Sequence, residues 1–386
     1  MTVTAGPPTL SLEVTRRAAW ALFALNGLLF ATWAVLIPAF QERLHLDAGG
    51  LSVQLFMIMI GNLLILPVAR KSLQSRGLKT TAAWSVLLTV AGLIGTALSG
   101  TPLPAALSLL AYGLGFGALD FTLNAAGTWV EERLQRPVMS GLHAAFSIGT
   151  LIGAALGSIL IHQGVTLPAQ VGGLSLLGLV LGLLAVTRLT AFQSEPSIPG
   201  EKTRVPRSLV LLLLAGFAAA LVEGVINDWS AVYLRGLGVT LSQAAWGYMA
   251  FTATMVLGRF AGDHLTGKLG RQALSVTAAS LCLLGLLSVN LGPTHLLKVT
   301  GFALSGLGLS VLAPLAFSAA WGQAQSRGIA LMTAVFYGGF LLGPPLTGQI
   351  TQHFTGSSTF ILPALLMGAV VMLSVQRVFS SPEASE

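Results

Sequence analysis

Charge is what this sequence has least of. Asp, Glu, Lys and Arg together make up 9% of its 386 residues, against about 25% in ordinary soluble domains. A chain of this length cannot cover a water-facing surface with so few charges. Disorder is excluded for the opposite reason: 54% of the residues are hydrophobic, far too much to leave unburied. Cysteine is nearly missing as well. Cys282 stands alone, which excludes an intrachain disulfide and a cysteine metal cage. No H-E-x-x-H, P-loop or nucleophile-elbow pattern occurs, and the first residues carry no cleavable signal pattern. The loops between apolar runs are too short for a catalytic domain. Neither an enzyme, a cofactor nor a metal is therefore expected.

Apolar sequence, by contrast, is present in long runs. A mean hydropathy of +0.81 fits a chain whose main solvent is lipid. At about 32 residues per helix and loop, the length accommodates about 12 spans. Runs able to cross a core about 30 Å thick lie at about 18–40, 50–69, 81–99, 104–130, 138–161 and 168–188. Six more lie at about 208–234, 243–262, 272–291, 296–320, 329–350 and 359–376. Between the two sets runs a polar stretch, Thr190 to Arg207, with Pro196, Pro199 and Pro206. The expected fold is an all-α integral membrane protein of twelve helices in two pseudo-symmetric six-helix bundles. Residues 1–189 form one bundle, 190–207 a cytoplasmic linker and 208–386 the other.

A net charge of +7 and a pI near 10.1 would also suit a nucleic-acid binder. The basic residues lie between apolar runs, however, where they set membrane orientation, and no nucleic-acid partner is expected. With the N-terminus inside, only Arg43, Arg235 and Lys298 of the 20 Lys and Arg residues fall outside. Both termini are then cytoplasmic, in the inner membrane, with lipid as the surroundings and a monomer as the expected state.

The halves also resemble each other. Trp33-Ala-Val-Leu-Ile-Pro38 aligns with Trp229-Ser-Ala-Val-Tyr-Leu234, and Phe146-x-x-Gly149-x-x-x-Gly153 aligns with Phe336-x-x-Gly339-x-x-x-Gly343. Both matches join span n to span n + 6, which predicts an internal duplication.

The loop after span eight reads Gly258-Arg-Phe-Ala-Gly-Asp263-His-Leu-Thr-Gly-Lys-Leu-Gly270-Arg271. It resembles the signature loop of the major facilitator superfamily, which implies a cytoplasmic gate motif at Gly258, Asp263, Gly270 and Arg271. In the first half Arg70 takes the place of the aspartate. Three further segments resemble the fucose:proton symporter group and its YbjJ-like relatives. They are Trp33–Gln41, Asp120-Phe-Thr-Leu-Asn124 and Arg136–Ser147. That resemblance implies alternating-access transport of a sugar or sugar-like solute, driven by a proton gradient, with Asp120 as the acidic position of span four. Ala34 stands where the sugar symporters have an aspartate. Span five lacks the proline-containing glycine motif of drug antiporters. Export of amphipathic compounds, or facilitation without protons, remains the alternative.

Three carboxylates fall inside spans: Asp120, Glu223 and Asp228. Each costs about 2.5–3.5 kcal/mol at the helix centre, so each should face a cavity or a partner. Asp120 and Asn124 share a helix face. The tight loop to span five sets them level with Ser147 and His143, which are also four apart. This ladder either lines a cavity or glues two helices together. Glu223 and Asn227 share a face in span seven, as do Asn26 and Trp33 in span one. Tryptophan beside amides and carboxylates suits a polyhydroxylated or amphipathic ligand. Expected solute contacts are Asn26, Trp33, Asn124, Glu223, Asn227 and Trp229, with Asp120, Glu223 and His143 serving proton coupling. Tyr248, Phe336 and Tyr337 are weaker candidates, and Pro314 marks a kink in span ten.

Orientation is directly testable. A cysteine replacing Ser194 should react only with reagent on the cytoplasmic side, and one replacing Gly238 only from outside. Labelling of the first from outside would be incompatible with the predicted topology.

Overall fold

The computed structural model describes residues 9–134, 138–190, 206–353 and 359–375. The linker Thr190–Arg207 therefore lies largely outside the described residues. Those described are helical, with no strand among them. The helices are α1 (Thr9–Arg43), α2 (Ala48–Leu64), α3 (Leu66–Leu98), α4 (Pro102–Leu134), α5 (Met139–His162), α6 (Leu167–Thr187), α7 (Arg207–Gly236), α8 (Leu241–Leu291), α9 (His295–His353) and α10 (Ile361–Val375). Helices are what this solvent permits, since lipid offers no partner to an open backbone group. Their ends are built by local chemistry. Asp47 Oδ1 accepts the Gly50 N–H at 2.6 Å, Thr240 and Gln243 form a capping box, and prolines sit in the first turns of α4 and α6.

Among the described residues ten helices contain twelve spans, because three of them double back and one span is shared between two helices. α2 continues past Ile65 into the first arm of α3. α3 then bends at Gly77 (φ 80°) and α8 bends at Gly270 (φ 76°), a left-handed conformation that favours glycine. Across the first bend Ser72 Oγ meets Thr81 Oγ1 at 2.9 Å and receives the Trp84 indole N–H at 3.1 Å. α9 reverses between Ala320 and Gly328, where a Cβ on Gly328 would strike the Ala320 carbonyl. The rings of Phe317 and Phe336 lie 5.1 Å apart, whereas 19 residues of straight helix would separate them by about 28 Å. Among the described residues, eight helical stretches are long and apolar enough to cross a membrane.

Contacts gather the chain into two compact units. The first comprises Met1–Trp33, Met57–Leu160 and Gly164–Ser197; the second comprises Ala34–Phe56, Ile161–Gln163 and Ile198–Glu386.

Inside each unit, helices cross where glycine lets backbones touch. In the first, a Cβ on Gly113 would land on the Ile58 carbonyl, on Gly92 against Tyr112, on Gly115 against Thr89, and on Gly149 against the Ala24 carbonyl. The second unit repeats the pattern: Gly306 on the Phe251 carbonyl, Gly285 against Ser305, Gly308 against Cys282, and Gly339 on the Phe217 carbonyl. Spans one to four thus map onto seven to ten with a shift of 193 residues, and span five maps onto eleven with a shift of 190. Gly77 and Gly270 obey the first shift. So do His45 (φ 52°) and Gly238 (φ 87°), the left-handed residues of the α1–α2 and α7–α8 turns. The duplication is real, but one detail of the sequence alignment is not. Trp33 corresponds to Ile226 and Trp229 to Leu36. Pairing the two tryptophans slips the register by three residues, close to one 3.6-residue turn, and leaves the same face in view.

Gly113→Ala should cost about 1–3 kcal/mol of stability, because the methyl group has only backbone to push against. Gly173→Ala meets nothing within 4 Å and should be neutral or stabilising by up to about 1 kcal/mol. Unfolding in detergent measures both, and equal effects would contradict the packing argument.

Candidate functional site

In the first unit, polar residues stand beside a tier of aromatic rings. Phe30 of α1, Phe116 of α4 and Phe146 of α5 lie 5.7–6.4 Å apart by ring centroid, with Tyr112 a further 5.8 Å from Phe116. Asn26 lies one turn before Phe30, Asp120 one turn after Phe116, and His143 three residues before Phe146. α4 runs antiparallel to α5, their hairpin closed by Glu131 accepting the N–H groups of Val138 and Met139 at 2.7 and 3.0 Å. Asn26, Asp120 and His143 consequently fall on one side of the aromatic tier.

Their environments differ. Asn26 is fully buried, and neither amide atom meets a hydrogen-bond partner among the described residues. A buried unsatisfied amide costs about 1–3 kcal/mol, so a fold keeps one only for a reason. Asp120 and Asn124 are half-buried, and the Asn124 amide donates to the Asp120 carbonyl at 2.9 Å. His143 is exposed with its ring 5.4 Å from Phe23. Ser147 Oγ donates to the His143 carbonyl at 3.1 Å. Trp33 is buried at the end of this unit's share of α1.

In the second unit, α7 carries Glu223 and Asn227, half-buried, followed by Asp228 and Trp229, buried. Gly258 packs α8 tightly on α9, since a Cβ there would run into Ser310. The next residue, Arg259, turns to α7 and places its guanidinium 3.6 Å from Glu223 Oε1. Its place in the chain groups Arg259 with the basic residues of the cytoplasmic membrane face. A long side chain starting eleven residues before the Gly270 bend reaches an acid deep in the neighbouring helix instead. Tyr248, also buried, lies within electrostatic reach of Glu223 and Asp228. Gly270 forms the bend, Arg271 beside it is half-buried, and the Asp263 side chain lies outside the described residues.

A cavity of about 790 Å³ opens in the second unit beside the α1–α2 and α7–α8 turns. Its walls include Trp229, Tyr233, Gln41, Glu42, His45 and Arg235. Arg235 Nε pairs with Glu42 Oε1, and its other arm donates to the Val239 carbonyl at 2.7 Å. Behind Tyr233 lies Lys298, expected in an outside loop but buried. Its Nζ donates to the Tyr233 hydroxyl at 2.9 Å and to the Val289 carbonyl at 2.7 Å. No count of basic residues could have revealed this, because the signal is an aromatic hydroxyl three spans away.

The duplication makes these features more informative. Glu223 and Arg259 correspond to Phe30 and Leu66 in the first half, and Asp120 and Asn124 to Ala313 and Phe317 in the second. The polar residues thus stand where the two copies differ, while the glycine crossings stand where they agree. Arg70 corresponds to Asp263, as its place in the loop predicts.

The Major Facilitator Superfamily model matches residues 19–322. An uncharacterized transporter of Sinorhizobium fredii is 30% identical over 364 residues, covering 93% of this chain and 97% of that protein. An uncharacterized MFS-type transporter of Yersinia pestis is 31% identical, covering 93% and 94%. Among solved structures, nucleoside transporter NupG superposes with a TM-score of 0.74 at 12% identity, covering 96% of this chain and 100% of that one. At that identity the likeness shows the fold alone.

Two substitutions rank the interactions around the cavity. Tyr233→Phe removes an acceptor from a buried Lys298 and should cost about 1.5–3 kcal/mol. Glu42→Gln breaks an exposed ion pair and should cost less than about 1 kcal/mol. A reversed order in detergent unfolding would contradict the burial described.

Proposed function

The chain belongs to the Major Facilitator Superfamily and is a multi-pass membrane transporter rather than an enzyme; from that premise we propose that it imports a sugar or sugar-like solute together with protons. The observation that carries the reading is Asp120, a half-buried carboxylate inside a span, on the same side of the aromatic tier as a buried amide, Asn26, that has no hydrogen-bond partner among the described residues. A carboxyl inside a span must face a cavity or a partner to offset its cost of about 2.5–3.5 kcal/mol, and such groups often carry protons. Its correspondence with the acidic position of the fucose symporters supports the same assignment. Asn26, Trp33, Asn124, Glu223, Asn227 and Trp229 supply solute contacts, and His143 is the neighbour that relays the proton.

The distribution of basic residues supports an inner-membrane protein with both termini in the cytoplasm. The cavity beside the α1–α2 and α7–α8 turns then faces outward. One observation favours a second reading: Ala34 replaces an acid expected in span one, which suits a facilitator that moves solute without protons.

Asp120→Asn decides between them. In proteoliposomes the variant should lose uphill uptake driven by a pH difference while retaining most solute exchange. Accumulation against a gradient by this variant would remove Asp120 from the coupling role. The solute class is reached separately by melting the purified protein with sugars, nucleosides, amino acids and cationic drugs. A ligand at about 100 times its Kd stabilises the folded state by about 2.7 kcal/mol.

A further inference from the structure

We propose that Glu223 and Arg259 act together as the solute grip of the second unit, and that the solute they hold is a neutral polyhydroxylated compound. The proposal rests on the sugar-transport reading above and narrows it.

Depth is the first argument. Glu223 lies 16 residues from Arg207 and 13 from Gly236, the ends of α7, or about 24 and 20 Å along the axis. An ion pair at that depth is surrounded by about 30 Å of hydrocarbon. Yet its side chains stay 17% and 32% exposed, and ionisable groups within a span face a cavity or a partner rather than lipid.

The second argument is that the pair is loose. At 3.6 Å the charges attract without forming a hydrogen bond. Among the described residues no donor lies within hydrogen-bond distance of the Glu223 carboxylate, and none reaches the Asn227 amide one turn further along the same face. A pair that served only to join α7 to α8 would close to about 2.8 Å.

Third, the architecture does not require it. The first half of the chain has Phe30, Ala34 and Leu66 at the positions of Glu223, Asn227 and Arg259. Charge entered one copy of a packing that works without it.

Chemistry then selects the ligand. Carboxylate and guanidinium together are charge-neutral, so a charged solute would leave one buried charge uncompensated. A hydroxyl group both donates and accepts. Neighbouring hydroxyls can donate to Glu223 and accept from Arg259 at once, in hydrogen bonds about twice as strong as neutral ones. The planar fork of arginine holds two such oxygens in fixed geometry, which lysine does not. Glu223 is thereby committed to its partner and solute, and proton coupling is left to Asp120 in the first unit.

The test uses the full-length protein. Melting shifts are titrated with L-fucose, galactose, glucose and myo-inositol, and with glucuronate and glucosamine as acidic and basic counterparts. At least one neutral polyol should bind wild type, with the charged counterparts weaker by about tenfold or more. Arg259→Lys keeps the charge and should lose about tenfold in affinity for that polyol while melting as wild type does without ligand. The double variant Glu223→Gln with Arg259→Gln preserves neutrality, which guards against unfolding. It should lose more affinity still. If both variants bind the polyol within about threefold of wild type, the grip is overturned and the sugar reading stands. Tighter binding of glucuronate or glucosamine than of any neutral polyol overturns the neutral assignment. If no polyol shifts wild type, the sugar reading fails and the grip with it.

Discussion

Helix backbones in this protein touch, and the rest of the architecture depends on that contact. In lipid there is little hydrophobic gain in pressing two apolar helices together, so association relies on close packing and on polar contacts. Gly149 on Ala24, Gly113 on Ile58 and their counterparts Gly339 on Phe217 and Gly306 on Phe251 bring main chains to van der Waals distance. These crossings fix how far each helix can rotate about its own axis. Rotation decides which side chains look inward. The few carboxylates and amides of the spans are thus aimed by glycines several residues away that carry no chemistry.

The two copies of this packing have kept their crossings and changed their polar residues. Where the first unit has a tier of phenylalanines with Asp120 and Asn26 at its edge, the second has Glu223 facing Arg259. A symmetric transporter would offer the same surface to the solute twice. Here one unit offers an acid and an unsatisfied amide, and the other a balanced pair. In the proposed mechanism, that difference puts solute recognition and energy coupling on different helices.

Much of the fold could be read from the chain, because its signals are long and redundant. The spans announce themselves by hydropathy, the Gly270 loop by its small and basic residues, and Arg70 by its place opposite Asp263. The candidate site was partly legible: Asp120, Asn124 and Glu223 stand out because charge in a span is rare. Other features were hidden for physical reasons. Arg259 is near a membrane face by position but its side chain spans several ångströms, so the guanidinium is where the Cα is not. Lys298 sits at a helix start, and only the three-dimensional placement of Tyr233 buries it. The Trp33–Trp229 alignment failed because a three-residue slip nearly preserves helical phase. The reversal inside α9 left no strong turn residue beyond Gly328.

The ion pair between Glu42 and Arg235 joins residues 193 positions apart, the interval that relates the two copies. Positions that were once identical now carry opposite charges and meet. In an ancestor with identical halves, one residue type would have faced itself here, and no attraction of opposite charges could have formed. The attraction therefore requires that the two copies differ at this position. It also means the halves have ceased to be interchangeable: a chain assembled from two first halves would place like charges at this one point.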